Sequence, residues 1–235
     1  MANPVKVKAT VTAVEKHTDS VVSYRFAPQG RVPKFRAGQF LHLALDEYHP
    51  EMQWPESRVF SIASSPSERR AELAVTISVK GAFTERIYNT LKEGGECWLK
   101  LPYGDFLFPP GQRLVLIAGG VGITPFLSLL KQMLEEKSEQ QVALYYGVRS
   151  ADHFLFPDLL EQCMEQLPNF GQTVYCEDGS VGGEQGRLDI DRICQDAAPD
   201  SIFYLSGPFE MIEQFKARLK KLGICTERIR VDDWE

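Results

Sequence analysis

Two short segments carry residue types that can do chemistry together. Arg58-Val59-Phe60-Ser61 places a guanidinium, an aromatic ring and a hydroxyl within four residues. Gly119-Gly120-Val121-Gly122-Ile123-Thr124-Pro125 follows an apolar run and ends on a proline suited to the first turn of a helix. Glycines let a backbone approach a phosphate closely, and a helix amino-terminus adds a favourable partial positive charge. Thr124 can add a hydroxyl donor. Taken alone, this loop fits a pyrophosphate site, a plain strand-to-helix turn, or the glycine-rich loop of a methyltransferase.

The first segment reads as a strand, with Arg58 and Phe60 on one side and Val59 and Ser61 on the other. A guanidinium pairs bidentately with a pyrophosphate, a ring packs on a flavin or its ribityl chain, and a hydroxyl reaches the flavin edge that takes a hydride. Unsupported, it is a half-exposed strand. Support comes from Gly81-Ala82-Phe83-Thr84, where a glycine and a hydroxyl again precede a helix. Ile77, Val79 and Lys80 lead into that turn and are grouped with it as cofactor-binding residues. Two phosphate sites in one small domain imply FAD rather than FMN. Ser206-Gly207-Pro208 follows the apolar run Ile202–Leu205, at the strand end where open parallel sheets place ligands. Standing alone it would be a helix-starting turn.

The elements that must position these residues come in two rhythms. Val5–Val11 and Phe40–Leu45 alternate with period two, and Val21–Phe26, Val59–Ile62, Leu73–Val79 and Trp98–Leu101 add further short strands. Turn residues separate them, which predicts an antiparallel barrel or sandwich, interrupted by one helix from Thr84 to about Leu91. After Phe108-Pro109-Pro110-Gly111 the pattern changes. Strand runs at Leu114–Ala118, Val142–Tyr146, Thr173–Tyr175, Ile202–Leu205 and Ile229–Val231 alternate with helical stretches, the clearest being Pro125 to about Glu136 and Phe209–Leu222. That is a doubly wound parallel sheet. The expected domains are therefore 1–109 and 110–235.

Composition narrows the function classes. The net charge is −6, and the halves differ: residues 1–110 hold 14 Lys+Arg against 12 Asp+Glu, the remainder 12 against 20. The balance argues against nucleic acid, while a slightly basic first half suits an acidic protein partner. No window approaches the ~20 apolar residues of a membrane span, and no signal-peptide run opens the chain. The five cysteines are scattered, without zinc or iron–sulfur spacing, so no metal is expected and a reduced, cytoplasmic protein is the simplest reading. His17, His42, His49 and His153 likewise lack ligand spacing.

With these segments in hand, the chain resembles the ferredoxin–NADP reductase superfamily over nearly its whole length. The resemblance rests on Arg58–Ser61, Gly81–Thr84, Pro102-Tyr103-Gly104-Asp105-Phe106, Gly119–Pro125 and Ser206–Pro208, in order and spacing. It implies a six-stranded antiparallel FAD barrel followed by a five-stranded parallel NAD(P)-binding sheet. It also implies hydride transfer from NAD(P)H to FAD, with Arg58 on the FAD phosphate, Phe60 beside the cofactor, Ser61 near flavin N5 and Thr84 on the pyrophosphate. With no cluster aboard, the electrons would go to an external acceptor: a ferredoxin, a flavodoxin, an oxygenase component or a small molecule.

Three departures from the family pattern bear on function. Ser206 stands where relatives often carry a cysteine near the nicotinamide. The chain ends Val231-Asp232-Asp233-Trp234-Glu235, so Trp234 takes the place of a terminal aromatic that would shield the flavin. Cys176-Glu177-Asp178 follows the third strand of the second domain, where carboxylates repel a 2′-phosphate, so NADH is favoured over NADPH. Arg149 and Arg187 are the residues that would reverse that preference. Ser61, Ser206 and Trp234 are thus the expected catalytic residues. Open alternatives are a flavin reductase that releases reduced flavin, and a subunit that binds nucleotide only to regulate a partner.

Overall fold

The computed structural model describes residues 3–232. It divides into two units, Met1–Leu107 with Thr124–Gln132, and Phe108–Ile123 with Met133–Glu235.

The first unit is built on six antiparallel strands: β1 (Val5–Thr18), β2 (Val21–Pro28), β3 (Phe40–Ala44), β4 (Ser57–Ser61), β5 (Leu73–Ser78) and β6 (Glu96–Tyr103). They hydrogen-bond in the order β4-β3-β6-β1-β2-β5. Alternation decides which residues turn inward. Val7, Ala9 and Val11 of β1, Leu41 and Leu43 of β3, and Val75 and Ile77 of β5 fill one core. The sheet nearly closes, because Ala63 just past β4 donates to Ala74 O of β5 at 2.8 Å. Helix α1 (Ala82–Thr90) adds Phe83 and Ile87 to the same core. Within this unit Ser128 donates its hydroxyl to Ser64 O at 2.8 Å.

Outside that core, β1, β2 and β5 share a covered polar chain. His17 Nε2 lies 2.7 Å from Ser23 Oγ, and Ser23 Oγ lies 2.7 Å from Thr76 Oγ1. Burial holds the His17 imidazole below its ordinary value, against the opposing pull of Glu15. A histidine whose folded value is depressed leaves stability intact above its unfolded value near 6.5 and loses it as pH falls through the lower folded value. His17→Asn should therefore flatten the loss of stability between about pH 7 and pH 5, read from denaturant midpoints. Equal slopes for the two proteins would refute this.

The second unit holds six parallel strands in the order β10-β9-β8-β7-β11-β12. These are β7 (Leu114–Gly119), β8 (Val142–Val148), β9 (Phe170–Cys176), β10 (Glu184–Gln185), β11 (Ile202–Ser206) and β12 (Ile229–Val231). The resemblance implied five strands. The sixth, β10, is two polar residues pairing with Tyr175 and Cys176, too short and too polar to leave a periodic signal. Helix α2 (Thr124–Glu136), of which Thr124–Gln132 belongs to the first unit, follows β7, and α3 (Pro157–Gln166), α4 (Ile190–Asp196) and α5 (Phe209–Lys221) connect the later strands. On one face Ile190 and Ile193 of α4 and Ile212, Phe215 and Leu219 of α5 cover Val115, Ile117, Phe203 and Leu205. Among the described residues no helix is long and apolar enough to cross a membrane, and no cluster of side chains suits a metal ion.

Candidate functional site

In the first unit, β4 lies at an edge of the sheet with Arg58 exposed on it. The Arg58 guanidinium carbon sits 5.0 Å from the centroid of the Phe83 ring, so β4 and the turn entering α1 meet. Arg58 also donates to Ser57 O at 2.9 Å and to Glu56 Oε1 at 3.1 Å. Both partners of that ion pair are more than half exposed, which makes it weak and lets the guanidinium change partners cheaply. Phe60 is half-buried against the barrel core, Val59 is half-buried, and Ser61 is buried opposite Phe40.

The turn before α1 is held by Thr84. Its hydroxyl donates to Gly81 O at 2.9 Å and accepts from Gly81 N at 3.1 Å and Lys80 N at 3.0 Å. One donor and two acceptor sites are all a hydroxyl has, so Thr84 shapes the turn with its full capacity. The first helical bond runs from Glu85 N to Gly81 O at 2.9 Å. The N–H groups of Ala82, Phe83 and Thr84 precede it and face outward along the helix axis. A Cβ added at Gly81 would meet nothing within 4 Å, so the chain does not itself require glycine there. A group bound against the turn would. Val79 donates its N–H to Ser20 O at 2.7 Å, while Ile77 is 1% exposed in the barrel core and presents no side chain to a ligand. Open space at Gly81, free N–H groups and a movable guanidinium fit a dinucleotide phosphate.

In the second unit the chain runs from β7 outward to β8 and β9, then returns to β11 on the other side of β7. Such a reversal leaves a crevice at the strand carboxyl ends, where open α/β sheets bind ligands. Gly119–Ile123 and Ser206–Pro208 both lie there. Gly120–Ile123 forms a single tight helical turn that runs straight into α2, so the backbone turns one step earlier than Pro125 suggests. A Cβ at Gly122 would lie 2.6 Å from Gly207 N and closer still to the Ser206 carbonyl. The β7 and β11 loops are thus pressed backbone to backbone. Gly207 has φ 153°, a conformation that favours glycine. Pro208 and Met211 pack over Gly119, and Thr124 is buried at the head of α2.

Ser206 is buried and donates its hydroxyl to Asp232 Oδ2 at 3.1 Å, while Asp232 N donates to Leu205 O at 2.9 Å. Asp232 escaped sequence reasoning because only the sheet order brings the residue after β12 beside β11. Trp234 lies outside the described residues.

At the end of β9 the acidic turn is preorganised. Asp178 Oδ1 accepts from Ser180 N at 2.9 Å, Ser180 Oγ at 2.6 Å and Cys176 Sγ at 3.1 Å. These donors, the Ser180 hydroxyl foremost, hold its carboxyl below the usual value. Arg187 Nε pairs with Glu177 Oε2 at 3.2 Å on the exposed surface.

Comparison with known proteins follows the same division. The oxidoreductase NAD-binding domain family matches residues 116–217. The reductase component of propane 2-monooxygenase from Mycolicibacterium goodii is 30% identical over 244 residues, covering 97% of this chain and 67% of that protein. The chain belongs to the ferredoxin–NADP reductase superfamily. A flavohemoprotein of Rhodopirellula baltica is 26% identical over 239 residues, of which this chain spans 94% of its own length and 59% of the relative's. A ferredoxin NADP+ reductase from Neisseria gonorrhoeae, solved with bound FAD and NADP, shares the fold at TM-score 0.78 and 21% identity over 100% of both chains. As a superfamily member the chain carries FAD- and NAD(P)H-binding domains, and it spans between about half and two thirds of the length of the curated relatives it matches.

Proposed function

We propose that this reductase takes hydride from NADH, holds the resulting electrons on FAD, and delivers them to a separate protein acceptor of the oxygenase-component type. The observation that carries the reading is a glycine-bearing turn in each unit that suits a phosphate: Gly81–Thr84 with Arg58, and Gly119–Gly122 with Ser206–Pro208. Bound FAD supplies a ring that accepts a hydride and releases electrons one at a time. The chain's own residues do the holding. Arg58 and the N–H groups of Ala82, Phe83 and Thr84 bind the FAD phosphates, Thr84 by shaping the turn, and Val59, Phe60, Val79 and Lys80 line the cofactor. Ser61 presents its hydroxyl at the flavin edge. Gly119, Gly120, Gly122, Thr124 and Pro125 form the pyrophosphate turn of the coenzyme, and Ser206 with Gly207 and Pro208 borders its nicotinamide.

The acceptor assignment is supported by the likeness to the monooxygenase reductase component and by the balance of charge in the first half. Anaerobic titration of the FAD-reconstituted protein with NADH tests the reading. Stoichiometric bleaching of bound flavin is expected, and failure to bind FAD or to bleach it would overturn it.

Coenzyme preference follows from the β9 turn. Asp178 offers a carboxylate oriented by Ser180 to a ribose hydroxyl, and Glu177 occupies Arg187 and repels a 2′-phosphate. In Glu177→Ala, Arg187 is released to pair with that phosphate. The ratio of kcat/KM for NADPH to that for NADH should rise about tenfold, the scale of one charge-assisted hydrogen bond. An unchanged ratio in steady-state assays would remove Glu177 from coenzyme selection.

A further inference from the structure

The outer face of the first unit carries a row of cationic side chains that crosses three strands. Lys6 of β1 stands directly opposite Lys100 of β6, and Lys100 stands opposite His42 of β3. Residues facing each other across antiparallel strands point to the same side, so the three share the face turned away from Val7, Leu41 and Leu99 in the core. Like charges so placed repel. Carboxylates do not relieve them: among the described residues neither ammonium has one within 4.0 Å. Glu47 and Glu96 reach this face only at Lys8, at 3.4 and 2.9 Å, while Asp46 and Glu56 pair with Arg86 and Arg58.

Rings stand in for the missing carboxylates. Lys6 Nζ lies 4.2 Å from the centroid of the buried Tyr48 ring and donates to its hydroxyl at 2.6 Å. Lys100 Nζ lies 5.3 Å from the centroid of Tyr103 and 5.8 Å from that of Trp54, both rings half-buried. A ring orders an ammonium without neutralising it. Residues 29–39 enter beside β1, where Gln29 N donates to Lys8 O at 2.7 Å, and add the exposed Arg31, Lys34 and Arg36 without an acid. Asp105, exposed just past β6, opposes them singly.

We infer that this face, Lys6 and Lys100 with the rings of Trp54 and Tyr103, is where an acidic surface of the electron-accepting protein docks. The assignment rests on the acceptor reading above and gives it a location. Charge complementarity selects the occupant: two ordered ammonium groups without carboxylates gain counter-charges only from a second molecule, and aromatic rings beside them are the side chains that interfaces favour. Position agrees. Phe40 lies opposite Ser61 on β4 and opposite Tyr103 on β6, with the Phe40 and Tyr103 rings 5.6 Å apart. Tyr103 is therefore two strands, about 10 Å, from Ser61. A partner seated here stands beside the end of β4 to which the reading above assigns the flavin edge.

The test is steady-state reduction of an acidic [2Fe–2S] ferredoxin by the FAD-loaded protein and NADH at low salt, beside anaerobic bleaching of the flavin by NADH alone. In the double variant Lys6→Gln/Lys100→Gln the KM for ferredoxin should rise roughly fivefold, the scale of two exposed ion pairs, with the bleaching rate unchanged. High salt should bring variant and parent together, because exposed charges are screened. Lys6→Arg/Lys100→Arg keeps both charges and should keep the parent's KM. An unchanged KM in the glutamine variant would overturn the assignment, as would a rise that persists at high salt or slower bleaching. A parent that is bleached but reduces no ferredoxin would overturn the acceptor reading, and a parent that is not bleached the hydride reading, each taking this inference with it.

Discussion

The Gly122→Ala protein is expected to melt roughly 10 °C below the parent, a loss of about 3 kcal/mol, and to lose its affinity for nicotinamide coenzyme. The new methyl group would meet Gly207 N at 2.6 Å and approach the Ser206 carbonyl more closely still. Both neighbours are backbone, so neither can rotate away as a side-chain tip would. Overpacking must move a whole turn, and that turn carries Ser206 and starts α5. Gly120→Ala is the matched control. Its Cβ would meet nothing within 4 Å, and the cost is only that of a non-glycine residue at φ 55°. That is about 1 kcal/mol, and the fold should survive it. Thermal unfolding separates the two variants, and NADH titration of Gly122→Ala reads the loss of coenzyme. If Gly122→Ala melted like the parent, the backbone contact between the β7 and β11 loops would not be what holds this site.

Arg58→Gln is expected to raise the dissociation constant for FAD about a hundredfold while leaving the melting temperature of the apoprotein unchanged. The large effect on the cofactor follows from losing a charge-assisted, bidentate partner for a pyrophosphate, which neutral glutamine cannot replace. The absent effect on folding follows from exposure. Arg58 is half exposed, its ion pair with Glu56 is solvated, and its packing is on one face of Phe83. Fluorescence titration of apoprotein with FAD reads the first quantity and differential scanning calorimetry the second. Unimpaired FAD binding would show that the guanidinium over Phe83 is a surface contact and nothing more.

These two expectations draw on different kinds of information. The chemistry proposed for Arg58 was read from the chain, because a guanidinium, a ring and a hydroxyl on one short strand suit a phosphate and a flavin. The period-two and apolar runs likewise sufficed for an antiparallel barrel and a parallel sheet, since alternation and burial are written locally in side-chain type. What Gly122 is for was not legible. The sequence offered it as a place where phosphate comes near, whereas the folded chain brings Ser206 and Gly207 against it across 84 residues of separation.

The amino-acid sequence by itself determined the two rhythms, the order of the glycine-bearing turns and the family they resemble. Tertiary structure alone decided that Arg58 lies over Phe83, that Thr84 spends its hydroxyl on its own turn, and that Asp232 meets Ser206. It alone added the two-residue strand β10 and the Asp178 lock beside it. The physical reason is common to all of these. Local pattern specifies what a residue is able to bury or donate, but partners distant in sequence are chosen by strand order and register. Those are settled by packing of the whole core rather than by any segment of it.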